Sequence, residues 1–149
     1  MQTAKEIMTT TVVTVGPEMP VEQLAALLRD RRISGAPVVD GTGALVGVVT
    51  ESDLIDQAKK IHIPTAISIL DSVIFLESAK GMEREITKMT GVTVADICTK
   101  NPLTITEATP LDEIATIMAE RRVHTLPVLR GMQLIGVVGK SDVIKTLAR

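Results

Sequence analysis

Residues 45–53 read Leu-Val-Gly-Val-Val-Thr-Glu-Ser-Asp, and residues 134–142 read Leu-Ile-Gly-Val-Val-Gly-Lys-Ser-Asp. A β-branched run interrupted by one glycine and closed by hydroxyl and carboxylate side chains is the signature of a strand handing over to a helix. The chain carries this junction twice, and the match extends outward. Upstream, residues 7–39 realign on 97–129 at a constant offset of 90, with Thr14 matching Thr104, Pro20 matching Pro110, Arg31-Arg32 matching Arg121-Arg122 and Pro37-Val38 matching Pro127-Val128. The junctions themselves realign at 89, so one residue is lost between the copies. It falls within Gly41-Thr42-Gly43, where a hairpin turn tolerates a change of length. Each copy is a single supersecondary unit, too small to close a core of its own, so the two are expected to pack on each other about a pseudo-twofold axis. The cleft between them is the first place to look for function.

Within a copy the elements follow from residue type. Val12-Val13-Thr14-Val15, bounded by Gly16-Pro17, predicts a short strand, as does Leu103-Thr104-Ile105 in the second copy. Pro20 and Pro110 suit a first helical position, and Thr109 just before Pro110 is placed to cap. Val21, Leu24, Ala25 and Leu28, and likewise Leu111, Ile114, Ala115 and Met118, recur at helical spacing. The arginine pairs then fall at helix C-termini, where the dipole favours cations. Residues 36–39 and 45–50 form a hairpin, and a further helix opens near Ser52-Asp53. The unit is β-α-β-β-α and the fold class α/β, with residues 1–60 as one repeat and 92–149 as the other. Residues 61–91 match neither copy. Residues 63–76 are too apolar for a solvated linker, and residues 80–89 predict a charged helix with Met82, Ile86 and Met89 on one face, so a helical insert used for core packing or self-association is expected, with a ligand lid or partner-binding surface as the alternative.

Of the 149 residues 45% are apolar and 23% charged, enough to bury a core. A net charge of -2 and a lone aromatic, Phe75, leave neither the field nor the stacking platform that DNA or RNA binding requires. Cys98 is the sole cysteine, which excludes an internal disulfide and suits a reducing cytoplasm. No basic segment precedes an apolar one at the N-terminus, and the most apolar run, residues 61–76, is broken by His62, Pro64 and Asp71, so neither a signal peptide nor a membrane span is expected. His62, His124 and Cys98 lack metal-ligand spacing, and no Ser-His-Asp order or paired-carboxylate motif points to catalysis.

The chemistry concentrates at the strand-to-helix junction. Thr50, Ser52 and Asp53 converge on a helix N-terminus whose free amides favour phosphate oxygens, and a carboxylate accepts two hydrogen bonds of the kind a ribose diol donates. Ser52 or Asp53 capping the helix is the alternative that needs no ligand. The second junction keeps Ser141 and Asp142 but has Gly139 in place of the threonine. The arginine pairs are read as solvated helix ends, with phosphate contact as the other option.

With hydrophobic-Gly-x-x-Thr-x-Ser-Asp closing the first copy and Ser34-Gly35-Ala36-Pro37-Val38 or His124-Thr125-Leu126-Pro127-Val128 inside, residues 5–58 and 95–149 resemble a tandem cystathionine-β-synthase (CBS) domain pair, or Bateman module. The resemblance implies a stand-alone regulatory sensor, not an enzyme. It also implies two pseudo-symmetric clefts for an adenosine-containing ligand (AMP, ADP, ATP or S-adenosylmethionine), no resident cofactor, and a homodimer acting on an effector protein. Asp53 and Asp142 would hold ribose hydroxyls, and Thr50, Ser52 and Ser141 would lie near phosphate. His124 would face phosphate where the first copy has Ser34. Ile33, Ser34 and Gly35, with Val123, His124 and Thr125, would contribute to the nucleoside pockets, as would Met8, Val13, Cys98 and Leu103. The alternative function is a ligand-free dimerisation or protein-interaction scaffold.

Overall fold

The computed structural model describes residues 2–60 and 91–148. But for Gly91, the expected insert lies outside the described residues. The first repeat runs α1 (Ala4–Ile7), α2 (Val21–Arg31), β1 (Gly35–Val39), β2 (Leu45–Thr50) and α3 (Glu51–Lys60). The second runs α4 (Val94–Ile97), β3 (Thr99–Lys100), α5 (Leu111–Arg121), β4 (Thr125–Arg130), β5 (Gln133–Gly139) and α6 (Lys140–Leu147). This is the α/β doublet that the repeat predicts.

The hairpins form as the glycine turns require. β1 and β2 pair antiparallel from Gly35↔Thr50 to Val39↔Leu45, and β4 and β5 from Thr125↔Gly139 to Arg130↔Gln133, each with a register shift at the same place, between Val38 and Val39 and between Val128 and Leu129. The longer turn is held by Asp40, whose Oδ1 accepts hydrogen bonds from the Thr42 amide at 2.8 Å, the Thr42 hydroxyl at 2.6 Å and the Ala44 amide at 3.1 Å. Gly43 (φ 84°) and Gly131 (φ 61°) occupy the left-handed positions that close the two turns.

Three local expectations are corrected. The strands predicted at 12–15 and 103–105 shrink to single parallel bridges, Val15↔Val38 and Ile105↔Val128. Pro17 has no amide with which to extend the first, and the Thr106 amide turns away to donate to the Thr109 hydroxyl at 3.0 Å. Thr109 is thereby occupied and caps nothing. Pro20 and Pro110 sit one position before the predicted first turn, as extended cap residues (ψ 145° and 153°) whose carbonyls accept the opening helical bonds from Leu24 and Ile114.

Neither repeat closes its core alone, because each lends its leading segment to the other. Ala4 of the first repeat is buried with Ile105, Ile114, Leu126, Val128 and Val138 of the second. Val94 of the second is buried with Val15, Leu24, Ala36, Val38 and Val49 of the first. Hydrogen bonds follow the same exchange: the Thr9 amide donates to the Val137 carbonyl at 2.8 Å and the Thr9 carbonyl accepts from the Val137 amide at 3.0 Å, while β3 adds to the edge of β2 through Gly47↔Lys100 and Val48↔Thr99. Burial of an aliphatic side chain such as Val94 contributes about 1.5–3 kcal/mol, so the exchanged segments are a substantial part of what joins the two copies. On α2 and α5, Val21, Leu24, Leu28, Ile114 and Met118 face the cores, whereas Ala25 and Ala115 are exposed. Among the described residues no helix is long and apolar enough to cross a membrane.

Candidate functional site

Among the described residues, cavities open where the repeats meet; a smaller-lined one, of about 530 Å³, lies around Pro17, Leu45, Cys98 and Lys100, and the two that contain the Ser-Asp junctions are each built from both repeats. One, of about 520 Å³, sets Thr50, Ser52 and Asp53 of the first repeat against Leu103, Arg122, Val123 and His124 of the second. The other, of about 620 Å³, sets Ser141 and Asp142 of the second repeat against Val13, Arg32, Ile33, Ser34 and Gly35 of the first. Ser34 and Thr125 line both cavities, close to where the strands β1 and β4 approach. The approach is tight at Gly35: a β-carbon there would lie 2.8 Å from the Thr125 hydroxyl oxygen and 3.1 Å from the Val49 carbonyl.

The hydrogen bonds around the two aspartates explain why the junctions have this sequence. Asp53 Oδ2 accepts from the Thr50 amide at 2.8 Å and from the Thr50 hydroxyl at 3.2 Å, satisfying the donor that precedes α3. Asp142 Oδ2 accepts from the Gly139 amide at 2.7 Å, and its Oδ1 accepts from the Thr9 hydroxyl, brought in by the exchanged segment, at 3.3 Å. Capping and cleft lining therefore coexist in the same side chains. The amides of Glu51 and Lys140, first residues of α3 and α6, donate to the Ser34 and His124 carbonyls at 2.9 and 3.1 Å, tying each junction to the strand entrance of its own repeat.

Of the fifteen residues singled out from sequence, Met8 and Cys98 line neither cleft. Met8 packs against the second core, where a β-carbon at Gly136 would lie 2.6 Å from its sulfur, and Cys98 packs against the first, where a β-carbon at Gly47 would lie 3.1 Å from its sulfur and 2.7 Å from the Thr99 carbonyl. These glycines are what allow the exchanged segments to lie against the strands. Burial pushes the Cys98 thiol above its usual pKa, as befits a small packing residue.

The sequence reading did not single out the polar residues of the exchanged segments. Arg32 and Arg122, read as solvated helix ends with phosphate contact as the other option, are exposed C-caps of α2 and α5 and also line the Asp142 and Asp53 clefts respectively. Both adopt the left-handed conformation (φ 54° in each), which costs a non-glycine residue about 1 kcal/mol and is normally left to glycine. An arginine at the same helix terminus in both copies was the available signal. Thr9, Thr11 and Arg29 join the Asp142 cleft, Thr99 and Asn101 the Asp53 cleft, and Glu51 and Lys140 line both. Among the described residues no three His, Cys, Asp or Glu side chains converge as metal ligands.

A twofold α/β repeat with a cleft on each side of its pseudo-symmetry axis defines a paired-domain module. The chain belongs to the CBS domain family, whose profile matches residues 4–60 and 94–149. The chloroplastic CBS domain-containing protein CBSX2 of Arabidopsis thaliana is 27% identical over 136 residues, covering 88% of this chain and 56% of its own length. Inosine-5'-monophosphate dehydrogenase of Korarchaeum cryptofilum is 35% identical over 134 residues, 89% of this chain but 21% of that enzyme. The chain thus spans between a fifth and about half the length of these two relatives. The crystal structure of CBSX2 in complex with AMP superimposes with a TM-score of 0.74 at 25% identity, covering 99% of this chain and 97% of that one.

Proposed function

We propose that the protein is a regulatory module, without turnover of its own, that binds an adenosine-containing ligand of the AMP, ADP, ATP or S-adenosylmethionine type in its inter-repeat clefts. Binding then signals through a change in shape or in contacts with a partner. The observation that carries this reading is the composition of each cleft: a Ser-Asp pair at a helix N-terminus from one repeat opposes an arginine-bearing strand entrance from the other. A carboxylate, hydroxyls and a guanidinium in one concavity match a ribose diol and a phosphate. AMP bound to CBSX2 supports the choice of ligand class.

In this reading Asp53 and Asp142 accept from the ribose hydroxyls, Thr50, Ser52, Ser141 and His124 lie near phosphate with Arg32 and Arg122, and Val13, Ile33, Val123 and Leu103 flank the base. The matched fifth of the dehydrogenase contributes no catalytic role here. A ligand acts only through different affinity for two conformations, and a coupling of about 1–3 kcal/mol is ordinary for allosteric proteins. Isothermal titration with AMP, ATP and S-adenosylmethionine tests the reading. Heat with at least one of them, reduced by Asp53→Ala or Asp142→Ala, supports it, and silence with all three overturns it.

A homodimer working in the cytoplasm is proposed alongside. Ile55, Ile144 and Leu147, 67%, 51% and 80% exposed on the closing helices α3 and α6, favour self-association there, which also accommodates the ligand-free scaffold as a second reading. Light scattering and AMP titration on Ile55→Asp and Leu147→Asp, at positions that line neither cleft, separate the two functions. The scaffold predicts loss of every property with the oligomer, and the sensor predicts retained ligand binding.

A further inference from the structure

Positions 51 and 140 are equivalents in the two repeats, yet one is glutamate and the other lysine, and both residues line both clefts. Each is the first residue of a helix, exposed, with its amide tied to a strand carbonyl, so the backbone is held while the side chain is free to sweep. Cations that belong to one cleft only are present on either side, Arg32 on one and Arg122 on the other. Lys140 alone among the cleft cations is common property.

We propose that Lys140 makes the two clefts compete for one ammonium group, so that an anionic ligand in either cleft weakens the binding of a second in the other. A lysine ammonium is a compact point charge on a flexible four-carbon stem, and it serves one phosphate at contact distance at a time. The first ligand therefore takes it. The second binds without the ammonium, in a cleft that Glu51 also lines. Because Lys140 is exposed, the effect fades with salt. The inference rests on the proposal that both clefts accept a nucleotide, and it adds the sign and the agent of their coupling. Such a module responds to its ligand over a broader concentration range than two independent sites.

The test is calorimetric titration of the full chain with AMP, and with adenosine as the phosphate-free control. Asp53→Ala and Asp142→Ala each report the intrinsic affinity of the cleft left intact. In the unmodified protein the second AMP is expected to bind roughly fivefold or more weaker than the intrinsic value of the cleft it enters. That gap should close with Lys140→Gln, persist with Lys140→Arg, shrink as salt is raised and be absent for adenosine. Equal intrinsic and second-step affinities, a positive coupling, or a gap that survives Lys140→Gln overturns the inference while leaving nucleotide binding in place. Absence of AMP binding in every form overturns the binding proposal and this inference with it.

Discussion

In the Asp53 cleft the amide and the hydroxyl of Thr50 both reach Asp53 Oδ2, at 2.8 and 3.2 Å, whereas in the Asp142 cleft Gly139 offers only its amide and Thr9 of the other repeat binds Oδ1 at 3.3 Å. One oxygen of Asp53 therefore takes all its hydrogen bonds within the described residues, while Asp142 has both oxygens engaged. A third junction gives the baseline. Asp96 Oδ2 accepts from the Thr93 amide at 2.8 Å and from its hydroxyl at 3.2 Å, matching the Thr50–Asp53 pair, yet it lines neither cleft. The motif is thus a folding device first, and position over a cleft is what makes it available for recognition. If the clefts take a nucleoside as proposed, the one with Thr50 and a less engaged aspartate is the better prepared for a ribose diol.

The largest expected difference between the halves lies in the glycines beneath the exchanged segments. At Gly47 an added methyl meets the Thr99 carbonyl at 2.7 Å, backbone that moves only by displacing β3, while at Gly136 the nearest atom is the Met8 sulfur at 2.6 Å, the pliable part of a side chain. Gly47→Ala should cost about 3 kcal/mol and Gly136→Ala nearer 1 kcal/mol, measured by urea unfolding; equal losses would show that the two exchanges are equally tolerant. Next come the left-handed arginines. Arg32→Gly and Arg122→Gly should each leave stability unchanged or raise it by up to about 1 kcal/mol while lowering AMP affinity. Lost stability would assign these arginines a structural duty instead.

Gly139→Thr sharpens the comparison by making the junctions alike. The site is open, with the nearest atoms to a new β-carbon at 3.7 and 3.8 Å and an extended backbone (φ -102°, ψ 170°). The added hydroxyl should bind Asp142 Oδ2 and stabilise by about 0.5–1 kcal/mol, and a destabilised variant would break the equivalence. Smallest is the acid response. Asp40 in the first repeat is held below its ordinary pKa by the Thr42 hydroxyl and then the Thr42 amide, and Glu107 in the second by its hydrogen bond to Arg130, at 2.8 and 2.9 Å. Both carboxylates are lowered on folding, so their stabilisation is complete above the unfolded values of 3.8 and 4.5 and is lost as pH falls through the lower folded ones. At the surface and partly open to solvent screening, they contribute little. Arg130→Ala should flatten the acid limb of the unfolding midpoint slightly, and Thr42→Ala should do the same.

The comparison of repeats was legible in residues 45–53 and 134–142 because a strand, a turn and a helix start leave local patterns. Hairpins, helices and the Ser-Asp junctions followed from them. The exchange of leading segments was not legible, since Thr9 pairing with Val137 and Val94 packing on Leu24 join residues far apart in sequence and write no periodicity. For that reason nothing local in the sequence tells that Met8 and Cys98 lie outside the two clefts, against the strands, or that Thr9, Thr99 and Asn101 line them. Arg32 and Arg122 were visible as residues but not as a conformation, because a left-handed cap usually announces itself by glycine.

The central claim is that each binding cleft crosses the repeats, so the decisive measurement is a pairing experiment by calorimetry with AMP. Asp53→Ala and Arg122→Ala, from different repeats, should remove the same binding step, and the double variant should cost little more than either alone. Asp142→Ala and Arg32→Ala should remove the other. If instead Asp53→Ala removes the same step as Arg32→Ala, its neighbour within the first repeat, the clefts do not cross as described.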